Sequence, residues 1–269
     1  MMKIETRFLR NKKLIPLPKL TEIGIVGAGG IGSFIIQGLT IMGWQSIWTW
    51  DPDLMKEHNL SSTAYPLDLI GKLKVDAAKY LHELYAEDWQ ELKAYPCYFD
   101  SDTNVLPKMI VCTDDMESRL MIYEKWKKDV KKIHPREKSI VSDAFFIDLR
   151  MGATSVEMVT VTPRNDNYMN EWIPTDSVPE APCSQKHTVF AAQHISSLGL
   201  AQVYNIVANL AFYDYIWTSL NPNTVEFGTL IRPKIEGDVN ATSTNTSEEG
   251  VDRLENNASR SNVLLHRSA

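Results

Sequence analysis

Gly27, Gly29, Gly30 and Gly32 crowd one short segment, Gly27-Ala28-Gly29-Gly30-Ile31-Gly32-Ser33, and their spacing contains a G-x-G-x-x-G turn. Ile23-Gly24-Ile25-Val26 runs into it with the apolar character of a strand, and an apolar stretch from Phe34 to Met42 follows it. A strand, a glycine turn and a helix together form a cradle for phosphate. Gly27 permits the tight turn, Gly29 lets the backbone approach a phosphate, and Gly32 lets helix and strand pack closely. The opening N–H groups of the helix then face an anion, with the helix dipole behind them. The turn alone specifies a nucleotide, not which one.

The residues that follow narrow the choice. A second strand, Ser46 to Trp50, ends at Asp51-Pro52-Asp53, which places Asp51 where a ribose-binding acid is expected. His58-Asn59-Leu60 comes next, and Ile70-Gly71-Lys72-Leu73-Lys74-Val75 opens another helix. A later strand, Met109-Ile110-Val111-Cys112, ends in Thr113-Asp114-Asp115, with Arg119 beyond. A glycine turn, a ribose acid, an Asn, a Lys and a strand-end Asp can surround a nucleoside triphosphate and its magnesium. A hydride-transfer site has no use for that Lys and Asp, and nothing in the chain resembles a hydride-transfer pair.

Taken in order, Gly-Ala-Gly-Gly-Ile-Gly-Ser, Asp-Pro-Asp, Asn-Leu, Ile-Gly-Lys-Leu-Lys-Val and Cys-Thr-Asp-Asp resemble the ubiquitin-activating-enzyme-like adenylyltransferases, the ThiF/MoeB/HesA superfamily, over roughly residues 21–215. Within it the chain is similar to compact versions from bacteriophages and mobile elements. The resemblance implies ATP-dependent activation of a carboxylate, the C-terminal one of a small ubiquitin-like or sulfur-carrier protein. Acyl-adenylate and pyrophosphate are the products, and a homodimer is expected. It further implies that Asp51 grips the ribose, that Asn59 and Lys74 contact phosphates, and that Asp114 holds magnesium. The residue types suit those roles, since Lys binds phosphate as a point charge and Asp is a hard oxygen ligand.

One position departs from the family's pattern. Ser62 stands where an Arg two residues after Asn-Leu would steady the triphosphate. Either another Arg, such as Arg150 or one from a partner subunit, supplies that charge, or catalysis is weak. The alternative reading is therefore a nucleotide-binding interaction module that has lost turnover. A second candidate for chemistry is Cys183 in Pro182-Cys183-Ser184-Gln185-Lys186-His187, ahead of an apolar run from Val189 to Tyr215. A Cys at a helix start beside Lys186 has a lowered pKa, and in the superfamily a Cys in a comparable segment can accept the acyl group as a thioester. The opposing reading is a small buried apolar residue. His187, four residues on, could share its helix face. Cys97 and Cys112 lie in apolar strand-like runs and are expected to be buried. Arg119 is expected to pair with a nearby acid.

The elements that must hold these residues alternate. Strands are expected near 23–26, 46–50, 94–99, 108–113 and 139–146, and helices near 31–42, 74–85, 116–131 and 186–215. This is an α/β pattern, a Rossmann-like doubly wound and mostly parallel sheet. Val156 to Thr162 adds an antiparallel edge strand. Residues 1–20 read as a basic arm, 21–232 as the nucleotide-binding domain, and 233–269 as a disordered tail of Asn, Ser, Thr, Glu and Gly. Glycosylation triplets at Asn240, Asn245 and Asn257 matter only in a secreted protein. A net charge of −6 offers no footprint for nucleic acid. Gln193, His194 and Gln202 interrupt the longest apolar stretch, so no membrane span is expected. Met1 to Leu20 has no apolar signal core. Three cysteines without a C-x-x-C argue against a disulfide framework and against the four-Cys zinc site of many family members, and they suit a reducing cytoplasm.

Overall fold

The structure is a computed structural model that describes residues 4–11, 13–130, 143–172, 188–221 and 223–232. Its centre is an eight-stranded sheet in the order β3-β2-β1-β4-β5-β6-β8-β9. The strands are β1 (Glu22–Val26), β2 (Ser46–Trp50), β3 (Glu91–Tyr95), β4 (Lys108–Val111), β5 (Phe145–Met151), β6 (Ser155–Val161), β8 (Tyr215–Leu220) and β9 (Asn223–Phe227). The first five are parallel neighbours, and β6, β8 and β9 continue antiparallel. Two short strands, β7 (Phe212–Tyr213) and β10 (Leu230–Ile231), pair separately.

The helices are α1 (Ile4–Arg7), α2 (Gly30–Met42), α3 (Lys74–Glu83), α4 (Met116–Val130), α5 (Tyr168–Glu171) and α6 (Val189–Val207). On one sheet face Ile23, Ile25, Ile47, Ile147 and Leu149 pack with Ile35 and Leu39 of α2, Ala78 and Leu81 of α3, and Ile195 and Val203 of α6. On the other, Val26, Trp50, Met109, Val111 and Phe146 pack with Ile122, Tyr123 and Trp126 of α4. Covering on both faces explains why the central strands are apolar runs rather than alternating ones. The N-terminal segment packs here too: Phe8 and Leu20 are buried, and the Phe8 ring lies 2.8 Å from where a Cβ on Gly43 would sit. No helix among the described residues is long and apolar enough to cross a membrane.

The expected mostly parallel α/β sheet is present, with four local corrections. The third strand runs Glu91–Tyr95 instead of 94–99, because its parallel register with β2 ends at Trp50↔Tyr95 and Pro96 has no N–H to continue the ladder. β5 runs Phe145–Met151, later than 139–146. The long helix does not reach residue 215. It stops at Val207, where Asn209 takes a left-handed φ of 55°. Leu210 N–H then donates to Asn205 O at 2.7 Å and Asn209 N–H to Ile206 O at 3.1 Å, which closes the helix end with a Schellman pattern. The segment 215–220, Tyr-Ile-Trp-Thr-Ser-Leu, is rich in aromatic and β-branched residues and forms β8. With β8 and β9 added, β6 lies inside the antiparallel part of the sheet and not at its edge. The proposed tail, 233–269, lies outside the described residues.

Candidate functional site

The chain leaves β1 toward β2 on one side, while β4 returns to pair with β1 on the other. A crevice opens at such a switch point, beyond the C-terminal ends of the strands. The glycine turn, Asp51, the Thr113–Asp115 turn and the end of β5 all gather there. Gly27 has a φ of +96°, and a Cβ on it would meet Cys112 O at 2.8 Å. At Gly32 a Cβ would lie 1.9 Å from Gly27 O, so the turn and the first helical turn touch backbone to backbone. Gly29 is different: a Cβ there meets no atom within 4 Å. Gly29 is the N-cap of α2, whose first N–H groups have no intrahelical partner. Gly30 is packed beneath this, its absent Cβ 3.2 Å from Ser62 O and 3.3 Å from Met151 Cε. Ser196 Oγ of α6 donates to Ile31 O at 3.1 Å and fixes the same turn from the far side.

Asp51 ties β2 to that turn. Ala28 N–H donates to its Oδ2 at 2.8 Å and Asp53 N–H to its Oδ1 at 2.9 Å. Burial raises its carboxyl above the usual range, with the nearby Lys74 ammonium opposing the shift. Lys74 comes alongside because residues 53–55 pair with 71–74. Lys74 N–H donates to Asp53 O at 2.8 Å, Met55 N–H to Lys72 O at 2.7 Å, and Leu54 bridges Leu73. The Lys74 ammonium then sits 2.6 Å from Asp53 Oδ2 and 3.9 Å from Asp51 Oδ1. Asn59 caps a short 3-10 turn, its Oδ1 accepting from Lys56 N–H at 2.9 Å, so its amide nitrogen is the end open to a ligand. Two participants were missed in the sequence. Asp53 is the direct partner of Lys74, for which the Asp-Pro-Asp spacing was a signal. Tyr65 donates its hydroxyl to Ala28 O at 2.9 Å, and nothing in the sequence marked it.

The Thr113–Asp115 turn sits beside the glycine turn. Asp114 is exposed, and among the described residues nothing pairs with its carboxylate. Asp115 instead caps α4, its Oδ1 accepting from Ser118 N–H at 2.7 Å. Arg119 is buried and donates to Thr113 O, to Asp148 Oδ1 and to Leu149 O, as the expected pairing with an acid required. Arg150, the in-chain candidate for the charge absent at Ser62, is engaged by two acids. Its Nε donates to Asp148 Oδ2 at 2.8 Å and its Nη1 to Glu157 Oε2 at 3.1 Å, so its charge is already matched. Ser62 itself is 5% exposed and seated against Gly30. No group of three or more His, Cys, Asp or Glu among the described residues could hold a metal by itself. One open carboxylate next to a phosphate cradle does fit magnesium, which binds through one or two carboxylates together with substrate phosphates.

Residues 17–135, from the approach to β1 into the segment after α4, match the model of the ThiF family. The resemblance is to that family. A comparison with curated proteins finds no sequence match. Among solved structures, the fold is similar to that of PaaA, with a TM-score of 0.59 at 15% identity over 82% of this chain and 66% of that one. It is also similar to MccB of E. coli solved with ATP, with a TM-score of 0.58 at 14% identity over 85% of this chain and 73% of that one. MccB solved with AMPCPP and MccA gives 0.57 at 13% identity, over 87% and 74%. The chain thus spans slightly under two thirds of PaaA.

The cysteines divide differently from expectation. Cys97 follows β3 and is exposed, because the strand ends two residues earlier. Cys112, at the end of β4 in the ThiF-matched region, has its thiol pushed up to about 12 by burial, with the Arg119 guanidinium only partly offsetting this. Cys183 and His187 lie outside the described residues. We therefore expect maleimide at neutral pH to label Cys97 at least about 10-fold faster than Cys112, since thiolate is the reacting species. Peptide mapping of the labelled protein checks this, and preferential labelling of Cys112 would contradict its half-buried place against the core.

Proposed function

We propose that the chain is an ATP-dependent adenylyltransferase that activates the C-terminal carboxylate of a small ubiquitin-like or sulfur-carrier protein and acts as a homodimer. The observation that carries this reading is that the glycine turn, open at Gly29, lies against Thr113 on one side and against Asp51, itself 3.9 Å from the Lys74 ammonium, on the other. That arrangement suits a triphosphate. The α2 N–H groups and the Lys74 ammonium meet phosphate oxygens, with Lys74 exchanging Asp53 for the more highly charged ligand. Asp51 has two oxygens with lone pairs beyond those its N–H donors use, enough to accept from ribose hydroxyls. Asn59 offers its amide nitrogen. Asp114 holds magnesium, which neutralises phosphate charge when bound.

In the step itself a carboxylate oxygen attacks the α-phosphorus, and the bond to the bridging oxygen breaks. Pyrophosphate leaves with that electron pair. No proton has to move, so what these residues supply is alignment and charge neutralisation. Passage of the acyl group to Cys183 as a thioester is a further part of the proposal. The ThiF-family match and the solution of MccB with ATP and with MccA support nucleotide use and a partner molecule.

A second reading, a nucleotide-binding module with little turnover, draws on Ser62 and on the engagement of Arg150 by Asp148 and Glu157. Both readings predict binding of ATP with magnesium and no binding of NAD, which calorimetry with the two ligands measures. NAD binding without ATP binding would remove both. Exchange of labelled pyrophosphate into ATP in the presence of the carrier separates them, and the enzyme reading expects exchange.

A further inference from the structure

We propose that Arg119 is a positioning residue for Asp114, fixing the turn that carries this carboxylate to β5. The inference rests on the reading of Asp114 as the magnesium-binding group. Arg119 lies in the first turn of α4, and its side chain folds back to the carbonyl of Thr113, the peptide unit that contains the Asp114 N–H. The same guanidinium reaches Asp148 Oδ1 and, at 3.1 Å, Leu149 O, both on β5. A rigid, planar fork of donors suits three acceptors from two elements at once.

The anchor on β5 is itself held. Asp148 is fully buried and accepts from Arg150 Nε at 2.8 Å and from Tyr168 Oη at 2.9 Å. Against the effect of burial, the guanidinium groups of Arg119 and Arg150 keep its carboxyl below the usual range. At the other end of the turn Asp115 is fixed by capping Ser118 N–H at 2.7 Å. Asp114 is thus held by its backbone on both sides while its own carboxylate stays open. Such placement matters because a metal ligand has to be held to within about 0.5 Å to be effective.

The test is calorimetric titration of ATP in excess magnesium and in EDTA, with thermal melts as a folding control. The wild-type chain is expected to bind ATP more tightly with magnesium, and Asp114→Ala to lose that gain. Arg119→Lys, whose single ammonium nitrogen lacks the rigid fork that spans the Thr113 turn and β5, should also lose most of the gain. Its affinity in EDTA should stay within about 3-fold of wild type, because the α2 N–H groups, Lys74 and Asp51 are left in place. A folded Arg119→Lys with the wild-type magnesium gain overturns the proposal, as does an equal loss in EDTA, which marks a general structural role. If Arg119→Lys does not fold, the other pin decides: Asp115→Ala should lose the gain and Asp115→Asn, which keeps the cap, should retain it. Any other ordering overturns the proposal. Absence of a magnesium gain in the wild type, or its survival in Asp114→Ala, instead overturns the underlying reading of Asp114.

Discussion

Asp114→Ala should reduce carrier-dependent pyrophosphate exchange by about 100–1,000-fold, the loss typical of removing one group that stabilises charge in a transition state. The fold should be nearly indifferent to the change. Asp114 is exposed, lies between a strand end and a helix cap, and pairs with no described residue. Stability should therefore stay within about 0.5 kcal/mol of wild type, as for most surface substitutions. The contrast with Asp148 is instructive, because that carboxylate is buried among two guanidinium groups and its removal would strand them. Exchange assays and denaturant melts on the same preparation check both halves. A folded Asp114→Ala protein with full exchange would take this residue out of the mechanism.

The second large effect should separate two glycines of one turn. Gly32→Ala puts a methyl carbon 1.9 Å from Gly27 O, where only backbone movement can relieve it. Overpacking of this kind costs about 3 kcal/mol when the neighbour cannot yield, so the variant should be strongly destabilised or fail to fold. Gly29→Ala has no such neighbour, but its φ of −85° goes with a ψ of −141°, outside the regions that L residues favour. It should still fold, at a backbone cost of about 1–3 kcal/mol, yet bind ATP at least about 10-fold more weakly, a loss of about 1.4 kcal/mol. The reason is that its methyl group occupies the open space at the N-cap of α2. Melting curves and calorimetry on both variants test the pair. Unchanged ATP affinity in Gly29→Ala would place the phosphates elsewhere, and a stable Gly32→Ala would contradict the close contact of turn and helix.

Much of the parallel half of the sheet was legible in the sequence because its signals are local. Ile23-Gly24-Ile25-Val26 and Met109-Ile110-Val111 are buried on both faces, so each reads as an unbroken apolar run whatever its partners. The antiparallel half was not. Val189 to Tyr215 is largely apolar, and no local pattern marks Val207 as the last helical residue. The break comes from Asn209 in a left-handed conformation, followed by a segment that becomes strand only by pairing with β6. The place of β6 inside the sheet, and the exposure of Cys97 past the end of β3, are consequences of such pairing.

The sequence by itself determined the glycine turn, the order of the strands that bear Asp51 and Asp114, and the nearness of Lys74 to the helix that starts at its own position. These depend on residue type and short spacing, which the chain carries without folding. Only the tertiary structure decided which charges are free. Read along the chain, Arg119 is expected to pair with an acid, but nothing there says which acid, or that the same one also engages Arg150. Once β4 and β5 lie side by side, Asp148 engages both arginines in the interior, while Asp114 is left open at the crevice. Burial makes the difference. A buried charge must be matched by an opposite one brought from a distant part of the chain, and an exposed carboxylate has no such requirement.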